Sequence, residues 1–313
     1  MAITSVAPGS RRYAACVELP REVAVVGAGT MGAGIARVFA EAGCSVRLCA
    51  RRATSLEAAR PRLGGHAVEL TTSAEDALAG VALVVETIAE AIEPKCALFA
   101  LAERLAAPDA ILTTNTSSLP LASFAEVLER PERFAGFHWF NPPELVELVE
   151  VVGGARTAPE TIDTLCAWAE AIGKAPVVVR RDVQGFVANR LQYALLREAY
   201  ALVDAGVCSA AEVDRAVTHG LGARWAAIGP FETMDLAGLD VHAAVAANLY
   251  PELASGREPS ATLAQVLATG ALGVKNGRGL RGDYEAGTAA ELVARRDRVL
   301  GGIAALREGK EIS

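Results

Sequence analysis

Three glycines near the start of the chain have the spacing of a phosphate-binding loop. Gly27, Gly29 and Gly32 form the pattern G-x-G-x-x-G directly after the apolar run VAVV and at the start of a helical pattern. Glycines at these positions permit a tight turn and let the backbone approach a pyrophosphate, and a helix N-terminus favours its negative charge. The sequence therefore predicts a dinucleotide site. The residues expected to contact the dinucleotide are Gly27, Gly29, Thr30, Met31 and Gly32.

The end of the second predicted strand departs from the usual dinucleotide site. An acidic residue about 20 positions into the fingerprint normally binds the 2′-hydroxyl of the NAD ribose. This place holds Ala50, followed by Arg51 and Arg52. Loss of a carboxylate and gain of two guanidinium groups favour a 2′-phosphate. We therefore expect NADP rather than NAD as the cofactor, the alternative being that both arginines are solvated loop charges.

The elements that would position this loop alternate between β-branched runs and helical patterns. Short apolar runs recur between residues 23 and 179, and stretches rich in Ala, Leu and Glu separate them. This alternation predicts an α/β fold, namely a Rossmann-type doubly wound parallel sheet with helices on both faces. The predicted strands are residues 23–26, 45–49, 81–86, 110–114, 134–139 and 175–179.

Strand patterns stop near residue 183, and helical patterns continue from there. Apolar residues recur at helical spacing from Phe186 to Leu202, and Ser209 with Glu212 has the pattern of a capping box. We therefore expect an all-helical C-terminal domain. The predicted segments are a loose N-terminal extension (1–20), a dinucleotide-binding domain (21–183) and a helical domain (184–313).

Composition limits the classes of partner. The 313 residues carry a net charge of −7, which argues against a basic field that holds nucleic acid. No apolar run reaches the roughly 20 residues that cross a bilayer. The six cysteines are scattered without a C-x-x-C pair, which argues against a disulfide frame or a metal centre. We expect a cytoplasmic protein that binds a small molecule, without a nucleic-acid, membrane or metal partner.

Six further sequence blocks follow the glycine loop in order. They read LVVETIAE, NTSSL, FHWFNPP, LVEVV, GFVANRL and GPFETMDLAGLD. Together with the glycine loop they resemble the 3-hydroxyacyl-CoA dehydrogenase superfamily from about residue 22 to 280. The resemblance implies hydride transfer between a nicotinamide cofactor and the C3 hydroxyl or keto group of a 3-hydroxy acid or related alcohol. It also implies a homodimer formed through the C-terminal domain.

The resemblance assigns roles to single residues. It implies that His138 is the general acid/base and that Glu150 orients it, and this pairing suits proton removal from an alcohol near neutral pH. Taken alone, each of the residues named in this paragraph also fits a structural role: a histidine can pack in the core, and a serine can cap a helix. The polar residues around the substrate oxygen would be Ser117, Asn141 and Asn189. The further residues on the cofactor side would be Glu90, Lys95 and Asn115.

Two departures from the fatty-acid members concern the substrate. Only about thirty residues separate the second strand from VALVVE, which leaves no room for the long helical hairpin that contributes to the CoA site in those members. The segment GLGARWAAIGPFE resembles the branch of gulonate, carnitine and pyridine-alcohol dehydrogenases. Arg224 in this segment would clamp a free carboxylate of the substrate with two parallel hydrogen bonds, or lie in an exposed loop or a salt bridge.

Three other functions stay open on the sequence alone. The same chemistry could act on a thioester of CoA or of a carrier protein. The chain could also be a binding or structural relative without catalysis, although His138 and Glu150 argue against it. A reductase that makes C–C or C–N bonds, such as an imine reductase, would share the two-domain plan without needing that pair.

Overall fold

The computed structural model describes residues 17–307, whose contacts divide the chain into two units. The first unit extends to Ala188, and the second begins at Asn189. Of the predicted extension, residues 1–16 lie outside the described residues. Leu19 packs against the apolar core of the first unit, and the indole N–H of Trp168 donates to the carbonyl of Glu18 at 3.0 Å. The domain boundary between residues 183 and 184 stays a prediction.

The first unit is built on one mixed β-sheet. Its described strands are β1 (Glu22–Val26), β2 (Ser45–Cys49), β3 (Glu69–Thr71), β4 (Leu83–Glu86), β5 (Ile111–Thr114), β6 (Phe134–Trp139), β7 (Leu148–Val152) and β8 (Ala175–Val179). They lie in the order β3-β2-β1-β4-β5-β6-β7-β8. The strands from β3 to β6 are mutually parallel, with β1 between β2 and β4. This order confirms the predicted doubly wound fold.

Helices cover both faces of this sheet. They are α1 (Thr30–Glu41), α2 (Ala53–Ala59), α3 (Ala74–Leu78), α4 (Ile92–Leu105), α5 (Leu121–Ala125) and α6 (Pro159–Ala171). Alternate residues of a strand point to opposite faces. Accordingly, Val23 and Val25 of β1 belong to an apolar cluster with α1 and α6, whereas Ala24 and Val26 belong to a second cluster with α3, α4 and α5. The sheet is therefore buried on both sides, which explains its continuous apolar strands.

The sheet reverses direction after β6, which the prediction of a parallel sheet missed. Strand β7 pairs with β6 antiparallel, and β8 is parallel to β7. The physical reason is the length of the connection. Only residues 140–147 join the two strands, whereas a parallel crossover needs about a dozen residues or more. In the resulting register His138 lies directly opposite Glu150.

The second unit is helical apart from a short ribbon. Its described helices are α7 (Ala188–Asp204), α8 (Ala210–Ala216), α9 (Gly222–Ala227), α10 (Pro230–Ala237), α11 (Leu239–Leu249), α12 (Ala261–Ala268) and α13 (Thr288–Arg307). The two-residue strands β9 (Arg278–Gly279) and β10 (Gly282–Asp283) pair antiparallel. The capping box of Ser209 and Glu212 begins α8 as predicted. Among the helices that the structure describes, none has the length and apolar character to cross a membrane.

A buried lysine holds the connection between β6 and β7. The Lys174 side chain follows α6, and its Nζ donates to the carbonyls of Pro143 at 2.6 Å and Val146 at 3.0 Å. The ammonium also lies 5.4 Å from the centroid of the Trp139 ring. Burial lowers the pKa of Lys174 to about 8, although the charges of Glu147, Glu144 and Glu41 oppose this shift.

The lowered pKa of Lys174 predicts a pH dependence of stability. Between pH 8 and 10.5 the unfolded chain holds the proton and the folded chain does not. The free energy of unfolding contributed by Lys174 therefore rises with pH across this window. Relative to Lys174→Met, the wild type should gain about 1–3 kcal/mol between these limits, measured by urea unfolding. Lys275→Met, which removes an exposed lysine, is the control. A difference between wild type and Lys174→Met that does not vary with pH would contradict the prediction.

Candidate active site

The glycine loop joins β1 to α1 at the centre of the sheet. A Cβ at Gly27, where φ is 118°, would lie 2.5 Å from the carbonyl oxygen of Thr87, and a Cβ at Gly32 would lie 1.7 Å from the carbonyl oxygen of Gly27. Gly29 faces open space, and the first turn of α1, which begins at Thr30, carries no acidic residue. The cradle and the positive end of the helix therefore fit the pyrophosphate of a dinucleotide.

Three of the predicted catalytic residues meet where the loop after β5 adjoins the paired strands β6 and β7. The imidazole Nδ1 of His138 lies 2.8 Å from Oε2 of Glu150, as the cross-strand register of β6 and β7 requires. Its Nε2 lies 3.1 Å from the hydroxyl oxygen of Ser117. His138 is 3% exposed and Glu150 is fully buried. The pair is thus shielded from water except where Ser117, an exposed residue, adjoins it.

Hydrogen bonds keep the Glu150 carboxyl charged. Burial alone raises its pKa, but hydrogen bonds from His138 and from the backbone amides of Ala188 and Val187 outweigh burial, and the pKa is lowered. A carboxylate accepts and does not donate, so Nδ1 of His138 carries a proton. In the neutral imidazole Nε2 then bears the lone pair, and the Ser117 hydroxyl donates to it. The arrangement gives His138 one free basic nitrogen, on the side of Ser117.

A second buried acid lies at the end of β4. Glu86 is fully buried and accepts from Nζ of Lys95 at 2.6 Å and from the hydroxyl of Thr114 at 2.6 Å. Burial raises the pKa of Glu86 in spite of these contacts. Lys95, predicted on the cofactor side, is 1% exposed, and its Nζ also lies 3.3 Å from Glu90. No role was predicted for Glu86, although a charged residue that ends the apolar run LVVE is a recognisable signal of a functional position.

Glu90 connects this ion pair to the loop that carries Ser117. Its Oε1 accepts hydrogen bonds from the hydroxyl of Thr116 and from the amides of Ser117 and Ser118. Burial would raise the pKa of Glu90, but these bonds and Lys95 lower it. The backbone position of Ser117 therefore depends on a carboxylate that Lys95 helps to hold.

The remaining predicted residues are not joined to His138 by described hydrogen bonds. The side-chain oxygen of Asn115 accepts from the amide of Trp139 at 2.8 Å and so links the ends of β5 and β6. Asn141 is exposed just after β6. Asn189 is the second residue of α7, and Arg224 lies exposed on α9. Within residues 17–307, Arg224 forms no ion pair with an acidic side chain.

The sequence matches models of one protein family over most of its length. The model described as the NAD binding domain of 3-hydroxyacyl-CoA dehydrogenase matches residues 22–183, and the model of its C-terminal domain matches residues 185–282. The chain belongs to the 3-hydroxyacyl-CoA dehydrogenase family. The predicted resemblance is confirmed, and the chain is a dehydrogenase of this family.

Known proteins resemble the chain over 70–93% of its length. The 5-formyl-3-hydroxy-2-methylpyridine 4-carboxylate 5-dehydrogenase of Mesorhizobium japonicum is 34% identical, covering 93% of this chain and 99% of its own. A crystal structure of a dehydrogenase for this compound, described as an NAD+ dependent dismutase, superposes with a TM-score of 0.89 at 33% identity and covers 93% of this chain and 99% of its own. The L-carnitine dehydrogenase of Streptomyces griseus is 36% identical over 70% of each chain.

The preference for NADP that the sequence suggested is wrong. The family domain that matches residues 22–183 is an NAD binding domain, and the similar crystal structure is of an NAD+ dependent enzyme. Arg51 and Arg52 lie exposed at the start of α2. Most surface arginines are solvated, so a missing acid and two exposed guanidinium groups are not sufficient for a 2′-phosphate site. The solvated-loop alternative explains both residues.

Proposed function

We propose that the protein is an NAD-dependent dehydrogenase of a small carboxylic acid that carries an alcohol or a hydrated aldehyde, with His138 as acid/base. The observation that carries this proposal is the hydrogen-bonded series of Glu150, His138 and Ser117. It leaves one imidazole nitrogen basic and adjacent to a hydroxyl group that can contact a substrate oxygen. A nitrogen in this position can take the one proton that oxidation of an alcohol releases.

The residues of this chain divide the work of the oxidation. A bound NAD would supply the hydride acceptor for the substrate carbon. Nε2 of His138 takes the hydroxyl proton, and Glu150 stabilises the resulting imidazolium while holding Nδ1. The Ser117 hydroxyl, and in our proposal Asn189, donate to the substrate oxygen as it becomes a carbonyl. Gly27, Gly29 and the N-terminus of α1 would hold the pyrophosphate of the cofactor.

A free carboxylate is the substrate feature that we favour. The relative from Mesorhizobium japonicum is named for a pyridine carboxylate with a formyl group. In this chain Arg224 follows a π-helical turn, Val217–Leu221, in the described part of the second unit. Such turns are rare and occur often at functional sites. A guanidinium group that is exposed and next to Trp225 suits an aromatic or aliphatic acid.

A thioester substrate is the second candidate, favoured by the family description itself, which names 3-hydroxyacyl-CoA. The reacting carbon, the proton transfer to His138 and the hydride transfer would be the same. The two candidates differ in the group that is recognised, a carboxylate by Arg224 or an acyl-CoA by other residues. A panel of substrates therefore separates them.

The panel should favour free acids. With NAD, we expect turnover of a hydroxymethyl- or formyl-pyridine carboxylate, L-carnitine or 3-hydroxybutyrate, and little turnover of 3-hydroxybutyryl-CoA. Arg224→Met should raise KM for the best acid about 10- to 100-fold, the loss expected for a charged hydrogen-bonded pair, with kcat changed less. Arg295→Met, on the exposed surface of α13, is the control. Turnover confined to the thioester, or an unchanged KM in Arg224→Met, would refute carboxylate recognition.

Removing the imidazole should abolish most of the turnover. We expect His138→Ala to lower kcat by about 10²–10⁴-fold, because this is the usual contribution of a general base. NADH binding, followed by fluorescence titration, should not change. His66→Ala is the control, since His66 pairs with Glu41 at the far end of α1. A His138→Ala protein that turns over substrate at the wild-type rate would overturn the proposed mechanism.

We propose further that the protein forms a homodimer through the second unit. Among the described residues of this unit, only Thr233 and Ala271 are buried, whereas Phe231 is 86% and Leu236 78% exposed. Apolar surface on this scale favours a protein partner, and a second copy is the commonest one. Light scattering of the purified chain at micromolar concentration should give twice 32.5 kDa. A monomer mass under these conditions would contradict the proposal.

A further inference from the structure

The turn before α7 has an unusual backbone. Gly185 and Phe186 have φ angles of 78° and 46°, and Phe186 is the one non-glycine residue with positive φ within residues 17–307. A bulky residue in this region is strained, so its surroundings must hold it there. Phe186 is 2% exposed, and its ring lies edge-on to the imidazole of His138 with a centroid distance of 5.4 Å. The strain is thus held by packing against a catalytic residue.

The same turn directs two successive amides at Glu150. The N–H groups of Val187 and Ala188 each lie 2.8 Å from Oε1 of Glu150. Its other oxygen, Oε2, is the one that contacts His138. Because α7 begins at Ala188, the carboxylate also lies at the N-terminus of a 17-residue helix, whose free N–H groups and dipole favour negative charge. Both oxygens of Glu150 are therefore fixed, one by the turn and one by the imidazole.

We propose that residues 184–188 are a positioning element for the catalytic pair, which sets the direction of the Glu150 carboxylate and through it the tautomer of His138. This inference rests on the proposed role of His138. The left-handed backbone at Gly185 and Phe186 aims the two amides, and the amides hold Oε1. Oε2 is then left to accept from Nδ1. A turn that relaxed to an ordinary backbone would withdraw the amides, free the carboxylate to rotate and let the imidazole proton distribute over both nitrogens.

The test uses histidine tautomers and needs no substrate. The full chain has four histidines, so nitrogen-15 spectra of histidine-labelled protein resolve them, and His138→Ala identifies the signal of His138. At a pH where imidazoles are neutral, the wild type should show His138 with the proton on Nδ1. Gly185→Val, whose β-branched side chain excludes positive φ, should show a mixture of both tautomers. Gly185→Asn, which tolerates positive φ, should retain the wild-type spectrum.

A second pair of variants covers the case in which Gly185→Val does not fold. Phe186→Leu keeps apolar volume but removes the ring edge from His138, and Phe124→Leu makes the same change in the same apolar cluster away from the pair. We expect both variants to lower the thermal midpoint by similar amounts. Only Phe186→Leu should show a mixture of the two His138 tautomers. NADH titration should show unchanged affinity in both.

Two results would overturn the proposal. One is a folded Gly185→Val protein whose His138 keeps its proton on Nδ1. The other is a pair of phenylalanine variants with identical His138 spectra. Since neither result depends on turnover, a protein that is inactive on every substrate of the panel could still support this inference, and a protein with strong activity could still refute it.

Discussion

The candidate active site depends on one buried carboxylate that keeps its charge. Within residues 17–307, no lysine or arginine forms an ion pair with Glu150, and a carboxylate removed from water without compensation would become protonated. Two backbone amides and the imidazole of His138 supply the compensation. The amides belong to the turn that leads into α7, and the imidazole belongs to a neighbouring strand. The strand pairing and the turn before α7 therefore both fix the Glu150 side chain, and its charge depends on both.

The two buried acids of the first unit are neutralised in different ways. Glu86 is paired with the ammonium of Lys95, whereas Glu150 is paired with the imidazole of His138, which gains and loses a proton in the proposed mechanism. Glu90 links the first pair to the loop of Ser117. The Glu86–Lys95 ion pair thus supports, through Glu90, the loop on the Nε2 side of His138, whereas Glu150 contacts the Nδ1 side directly.

Much of the fold could be predicted because it follows from local periodicity. The strands, the glycine loop and the helical second unit each have their own pattern in the sequence. His138 and Glu150 were found through a resemblance, since a spacing of twelve residues does not reveal a hairpin register. The strain at Phe186 is not predictable from sequence, because it results from packing between distant residues. The NADP prediction was wrong because it assigned a 2′-phosphate to Arg51 and Arg52 from their charge, although most surface arginines are solvated.

The hairpin of β6 and β7 also limits how the chain can change in length. Side chains alternate between the faces of a strand, so a shift of one residue reverses every one of them. A single insertion in residues 140–147 would set Val149 or Val151 opposite His138 in place of Glu150. The same slip would turn Glu150 toward the apolar cluster that contains Val149 and Val151, where its carboxylate would have no partner. The length of this connection is therefore limited by the pairing of His138 with Glu150, although neither residue belongs to the loop.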